Sequence, residues 1–131
     1  MDFAIYLKEI LRLKEKWERN MYKINVKHRR DELSDKEYKK IRDSSYNKIY
    51  NKYCAKNIAK SYLGVSKPPK YCTKGMVIKV LEKNDKYVIC KVKTKVNSMT
   101  CFFRLKFIKK KWLIDKITSF DYQDKEYRES F

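Results

Sequence analysis

Few side chains in this sequence have the type and spacing that acid–base catalysis requires. His28 is the only histidine, and it lies in the polar run His28-Arg29-Arg30-Asp31, which favours an exposed helix end over a catalytic pocket. Asp115 alternates with Trp112 and Ile114, so we expect its carboxylate to point away from the core. The sequence contains neither a glycine-rich phosphate loop nor a nucleophile elbow. We therefore predict that the protein is not an enzyme.

The cysteines predict neither a metal centre nor a cofactor site. None of the four belongs to a CxxC pair, and a single histidine adds little to a zinc ligand set. We expect free thiols in a reducing compartment; the alternative is an exported protein with two disulfide bridges. The four residues are Cys54, Cys72, Cys90 and Cys101.

The ends and apolar runs of the sequence indicate a cytoplasmic location. The chain begins Met1-Asp2-Phe3, without the basic stretch and apolar run that are typical of a signal peptide. Its apolar stretches are only a few residues long, which is too short for a transmembrane helix. We therefore predict no membrane insertion.

A formal net charge of +18 is the most unusual property of the 131-residue chain. Such a charge favours partners that are anionic: nucleic acid, a membrane surface or an acidic protein. The lysines are nevertheless spread along the whole chain, together with many Asn, Ile and Tyr residues that AT-rich codons encode. Both interpretations of the charge, functional and compositional, stay open at this point.

The basic residues that alternate with apolar ones near the middle of the chain are the candidates for partner binding. Together with Phe102, they have the pattern of cations and aromatic rings that binds a phosphate backbone and stacks bases, although no RRM, KH or zinc-finger motif accompanies them. A basic nucleic-acid-binding protein is therefore one functional prediction. The candidates are Lys91, Lys93, Lys95, Arg104 and Lys106.

The first half of the chain has the periodicity of helices. Apolar residues recur at steps of three and four from residue 3 to about residue 28, which predicts an amphipathic helix. Ser34-Asp35-Lys36-Glu37 is a capping box that starts a second helix. We expect that helix to continue to Leu63 and to end at Gly64, with a possible break near Asn57.

After Pro68-Pro69 the periodicity changes to two, which is typical of strands. Alternating segments predict a meander of four antiparallel strands with one apolar and one cationic face. Helices followed by such a meander predict one α+β domain over residues 1–131, with a helical half at 3–63, a sheet half at 76–118 and helices packed on a curved sheet. The expected inward-facing residues include Val80, Val96, Phe107 and Trp112.

Three segments resemble a known family. They are Pro68-Pro69-Lys70-Tyr71 with Met76-Val77-Ile78-Lys79-Val80, then the segment 85–92, then the segment 103–115, which ends in a tryptophan, two apolar residues and an aspartate. This order is similar to the NTF2-like fold, and most of all to the NTF2-fold immunity proteins of bacterial polymorphic toxin systems. The resemblance implies a protein that binds and neutralises a cognate toxin by stoichiometric occlusion. It leaves the oligomeric state and the toxin open.

Overall fold

The computed structural model of the protein describes residues 1–61, 69–96 and 98–131. Two helices precede five strands that form one antiparallel sheet in the order of the sequence. The predicted α+β class is therefore confirmed. The elements are α1 (Phe3–Arg29), α2 (Asp35–Tyr53), β1 (Val77–Lys83), β2 (Tyr87–Lys93), β3 (Thr100–Ile108), β4 (Lys111–Phe120) and β5 (Glu126–Arg128).

Both predicted helix starts are confirmed. The Asp2 carboxylate accepts a hydrogen bond from the Ile5 amide at the start of α1. At the start of α2, the Ser34 hydroxyl oxygen accepts from the Glu37 amide at 3.1 Å. The same hydroxyl donates to the Glu37 carboxylate at 2.9 Å, so the two side chains of the capping box are joined.

The second helix is shorter than predicted, because it ends at Tyr53 and not near Leu63. The chain leaves the helix to pair with the sheet: the Ala55 amide donates to the carbonyl of Ile114 at 2.8 Å. The Tyr50 hydroxyl donates to main-chain carbonyls of the same segment, which holds residues 54–58 in a non-helical path. Residues 62–68, which include the expected helix stop at Gly64, and residue Asn97 lie outside the described residues.

One face of the sheet, the inner face, packs against the helices and forms the core. Its central side chains are at most 1% exposed and alternate along β2 and β3 as the sequence predicts, whereas along β4 a β-bulge separates Ile114 from Ile117. They join the buried stripe of α1 and two tyrosines of α2, Tyr46 and Tyr50, in one apolar cluster. The central inner-face residues are Val88, Cys90, Val92, Cys101, Phe103, Leu105, Ile114 and Ile117.

Several residues that were expected to face inward are partly or largely exposed, because they lie near strand ends or on an edge strand. Val96 is 43% exposed, since β2 ends at Lys93. Phe107 is 48% exposed and packs against Trp112, at 5.1 Å between ring centroids. Trp112 itself is half-buried, and its ring meets the Phe3 ring edge-on at 4.9 Å. Val80 is 37% exposed, because it lies on an edge strand at a β-bulge.

The end of the chain extends the sheet beyond the predicted limit of residue 118. The β5 strand pairs with the end of β4, from Thr118 opposite Arg128 to Phe120 opposite Glu126. The chain then turns inward, and the fully buried Phe131 donates its amide hydrogen to the carbonyl of Ala59 at 3.1 Å. The last residue is therefore part of the core.

All four cysteines have free thiols, and all four are buried. Burial raises the pKa of Cys90 and of Cys101 to about 11. Neutral, buried thiols of this kind behave as small apolar side chains. No helix in the described parts of the chain has the length and apolar character needed to cross a membrane.

Candidate functional site

The side of the sheet opposite the helices carries both cations and accessible apolar side chains. Residues directly opposite each other on antiparallel strands project to the same side. Lys91 lies opposite Lys79 on one neighbouring strand and opposite Phe102 on the other, which places all three together on what we call the outer face. The basic residues of the outer face are Lys79, Lys91, Lys93, Arg104, Lys106, Lys116 and Arg128. Its apolar and aromatic residues are Val77, Tyr87, Ile89, Phe102, Leu113 and Phe120, and it also carries the carboxylates Glu82 and Glu126.

The predicted binding residues are only partly brought together. Lys93 and Lys106 are exposed on the outer face, and Lys91 is half-buried there. Lys95 lies beyond the end of β2, where its side chain passes over Gly75; a Cβ on Gly75 would lie only 2.7 Å from Lys95 Cδ. Lys95 is therefore at the rim of the face.

The fifth predicted residue, Arg104, is engaged within the protein. Its Nε and Nη2 atoms donate to the two carboxylate oxygens of Asp115, each at 2.9 Å. Asp115 is the extra residue of a β-bulge, because the pairing steps from Arg104–Lys116 to Leu105–Ile114. The Asp115 side chain projects to the outer side, as expected, but Asp115 is only 5% exposed beneath the guanidinium. The hydrogen bonds to Asp115 raise the pKa of Arg104, and the charges of the two groups compensate each other.

Five of the six remaining cations of the outer face are available to a partner. Within residues 1–61, 69–96 and 98–131, Lys116 is paired with Glu126 at 3.8 Å, whereas the others make no ion pair. Lys79 and Arg128, which sequence analysis missed, widen the cationic area toward both edges of the sheet. Their positions depend on strand pairing, and Arg128 belongs to a polar tail without strand periodicity. The unpaired cations are Lys79, Lys91, Lys93, Lys106 and Arg128.

Between these cations lies an apolar centre. The Phe102 and Phe120 rings meet edge-on, with centroids 5.6 Å apart and an interplanar angle of 81°. Phe120 is 47% exposed. A small cavity of about 130 Å³ opens beside Phe102, and its lining combines Ile89, Phe102, Phe103 and Thr118 with the basic residues Arg104 and Lys116. Sequence analysis singled out Phe102 alone, since Phe120 lies past the predicted end of the last strand.

Comparison with known proteins identifies the family. A family model described as NTF2 fold immunity protein matches residues 3–130. The chain belongs to this family. The match includes both helices and all five strands, so it confirms the predicted NTF2-like fold and gives the chain an immunity role in toxin systems. No curated protein and no solved structure matches the chain.

The interior of this immunity protein holds a charged pair that sequence analysis did not recognise as buried. Lys14 and Glu18 lie about one helical turn apart on α1. Each side chain is only 1% exposed, and the distance from Lys14 Nζ to Glu18 Oε1 is 3.0 Å. The other Glu18 oxygen accepts from the Lys70 amide at 3.0 Å. Burial lowers the pKa of Lys14, and the neighbouring Glu18 carboxylate only partly offsets this effect. Because each group has a hydrogen-bond partner, the pair has a structural role, and it links α1 to the main chain at Lys70.

A second interior carboxylate, Glu15, is also fully engaged. It accepts from the Thr73 hydroxyl at 2.6 Å and from the Thr73 amide at 3.2 Å, and it pairs with Arg19 at 3.1 Å. Burial alone would raise the pKa of Glu15, but hydrogen bonds, first among them that from Thr73, lower it below its ordinary value. Glu15 is therefore an ionised structural acceptor, which is unsuited to the role of a general base near neutral pH.

His28 lies away from the outer face, at the junction of the two helices. Its Nε2 atom is 2.5 Å from Asp35 Oδ1, and its ring stacks on Tyr38 with centroids 4.5 Å apart. This agrees with its predicted position at the end of the first helix. In the described part of the chain, no cluster of three or more His, Cys, Asp or Glu side chains is placed to hold a metal ion.

Proposed function

We propose that this immunity protein binds one cognate protein toxin and neutralises it by stoichiometric occlusion rather than by catalysis. The observation that carries the proposal is the family match over residues 3–130. The outer face supports it, because that face combines unpaired cations with an accessible apolar centre and lies opposite the helices. An occluding protein needs such a surface and no reactive group.

Within this proposal, the toxin docks on the outer face around Lys91, Lys93 and Lys106. Lys95 contributes from the rim, and Arg104 contributes as a group held in place by Asp115. Charged groups around an interface mainly increase the association rate, whereas buried apolar anchors slow dissociation. The outer face offers both kinds of contact.

The proposal places the protein in the cytoplasm of the bacterium that makes the toxin. The four buried free thiols fit a reducing compartment. The neutralised toxin is then one that would otherwise act inside the producing cell. Its natural candidate is the product of the gene next to the one that encodes this chain.

Growth rescue tests the proposal. Cells that express the neighbouring toxin domain should stop growing, and co-expression of this chain should restore growth. An unrelated toxin of the same strength serves as the control and should stay active. Failure to restore growth, with the chain present as folded protein, would contradict the proposal.

The outer face also favours a second candidate function, nucleic-acid binding, because Lys91 and Lys93 lie near the Phe102 ring. Counterion release would then dominate affinity, so binding would fall roughly 10³-fold between about 50 and about 200 mM salt for six phosphate contacts. Sub-micromolar RNA or DNA binding that is lost on replacing Lys91, Lys93 and Lys106 by alanine, together with no growth rescue, would select this function.

A further inference from the structure

The arrangement of the outer face has the anatomy of a protein–protein interface. Its apolar centre, formed by Ile89, Phe102 and Phe120, runs across β2, β3 and β4. Lys79, Lys93 and the other unpaired cations lie around it. Interfaces that hold a partner tightly have an apolar core within a polar rim, and a few aromatic residues near the centre contribute most of the affinity.

We infer that the outer face binds an acidic surface of the toxin, from which one apolar side chain enters the cavity beside Phe102. This inference rests on the proposed function and specifies the partner's chemistry. The cavity of about 130 Å³ is large enough for a side chain and too small for a larger ligand. Carboxylates on the toxin would meet the unpaired lysines around it.

Charge excludes a second copy of this chain as the occupant. A symmetric dimer through the outer face would place the same surface patch against itself. Lys91, Lys93 and Lys106 of one copy would then approach the cations of the other. Of the carboxylates on this face, Asp115 and Glu126 are already paired with Arg104 and Lys116, and Glu82 accepts a hydrogen bond from Tyr87. Like charges brought together in this way oppose association, so the partner carries the opposite charge.

The ring geometry favours a protein over a nucleic acid. Successive bases stack on the exposed faces of aromatic rings. Phe102 and Phe120 instead stand at 81° to each other, and one ring covers part of the other. The guanidinium of Arg104, which is suited to bidentate phosphate contacts, is already held by Asp115 through two hydrogen bonds.

The electrostatic part of the inference is tested by charge reversal at Lys91, Lys93 and Lys106. The triple change to glutamate should lower the association rate for the toxin at least about tenfold at low salt and should abolish its salt dependence. Association can be measured by surface plasmon resonance with the immobilised toxin domain. An association rate equal to that of the unchanged protein would overturn the inference.

A matched control is available on the other side of the molecule. Lys36, Lys39 and Lys40 are exposed on α2, and their change to glutamate alters the net charge by the same amount. This variant should keep the association rate within about threefold, because the charges lie away from the interface. An equal loss in both triple variants would overturn the inference, since net charge and not the outer face would then control binding.

The apolar part is tested by Phe102→Ala, which should weaken toxin binding by about 30-fold or more through faster dissociation. Ile89→Ala changes the same cavity and is used if the first variant does not fold, as judged by circular dichroism. Unchanged dissociation in the folded variant would overturn the inference.

The outcomes separate the inference from the function on which it rests. If the unchanged protein binds the toxin and restores growth while the charge-reversal and cavity variants do so equally well, the function stands and this inference fails. If the unchanged protein does not bind the toxin, the proposed function fails first. Tight binding of a single-stranded RNA probe that only the outer-face variants lose would overturn the inference in favour of nucleic acid.

Discussion

The buried Lys14–Glu18 pair makes a quantitative prediction about stability. Glu18→Gln removes the carboxylate charge but keeps an oxygen that accepts from the Lys70 amide, so the change isolates the ion pair. Removal of one partner from a buried pair typically costs about 3–5 kcal/mol, because the other charge is left uncompensated. For a chain of 131 residues, this corresponds to a fall in melting temperature of roughly 10–20 °C.

The surroundings of Lys14 narrow the range expected for the loss of stability in Glu18→Gln. Its ammonium lies between 5.1 and 5.7 Å from the centroids of three aromatic rings, those of Trp17, Tyr46 and Phe131. Rings at this distance stabilise a cation by about 0.5–2 kcal/mol. The ammonium therefore keeps some stabilisation when Glu18 is neutral. We expect a loss near the lower end of the range, about 3 kcal/mol.

Urea unfolding at two pH values measures this effect. Burial gives Lys14 a lower pKa in the folded state than the value of about 10.4 in the unfolded chain. Between these two values the unfolded state binds more protons, so the free energy of unfolding rises with pH. The loss caused by Glu18→Gln should therefore shrink as the pH rises from about 7 toward about 10.4, because Lys14 loses its proton in the folded state before it does in the unfolded chain.

The double variant Lys14→Met/Glu18→Gln is the matched control. It contains neither charge, so it should be more stable than Glu18→Gln alone by about 1–3 kcal/mol. A loss below about 1 kcal/mol for Glu18→Gln would refute the reasoning, because an exposed pair contributes no more than that. The reasoning would also be refuted if the losses in free energy of unfolding caused by Lys14→Met and Glu18→Gln simply added in the double variant.

Three further predictions concern the fold. Ser34→Ala should lower the free energy of unfolding by about 0.5–2 kcal/mol, because the Glu37 amide loses its acceptor; urea unfolding will show no change if the cap is dispensable. Alkylation without reductant should label four cysteines after unfolding and label Cys90 and Cys101 slowly in the folded protein; recovery of two disulfides would contradict this expectation. Residues 1–131 should unfold in one transition by fluorescence and by circular dichroism, whereas two separate transitions would contradict a single domain.

The elements with a strong local signal were predictable from sequence. The periodicity of α1, the capping box at Ser34 and the alternation of β2 depend on neighbouring residues, and the structure contains them where expected.

The elements that depend on distant contacts were not predictable. The end of α2 at Tyr53 follows from pairing of the next residues with β4. The β5 strand has three residues and no alternation, and the burial of Phe131 depends on the position of Ala59. Tertiary contacts of this kind override local propensity.

The candidate site was predictable in character but not in detail. Alternation of lysines with apolar residues predicted a cationic sheet face. A β-bulge then placed Asp115 under Arg104, which removed one predicted cation from the available set. Pairing with β1 and β5 added Lys79 and Arg128, whose neighbours on the outer face are far away in sequence.

Titration of the toxin's activity by the purified protein tests the central claim most directly. Occlusion predicts that activity falls linearly with added protein and reaches its minimum at one molecule of this chain per toxin molecule. Recovery of active toxin after denaturing separation of the complex should then be complete. Inactivation at a small fraction of that ratio would contradict occlusion, because each molecule would have to act on many toxin molecules. Full toxin activity in the presence of excess protein would contradict the immunity role itself.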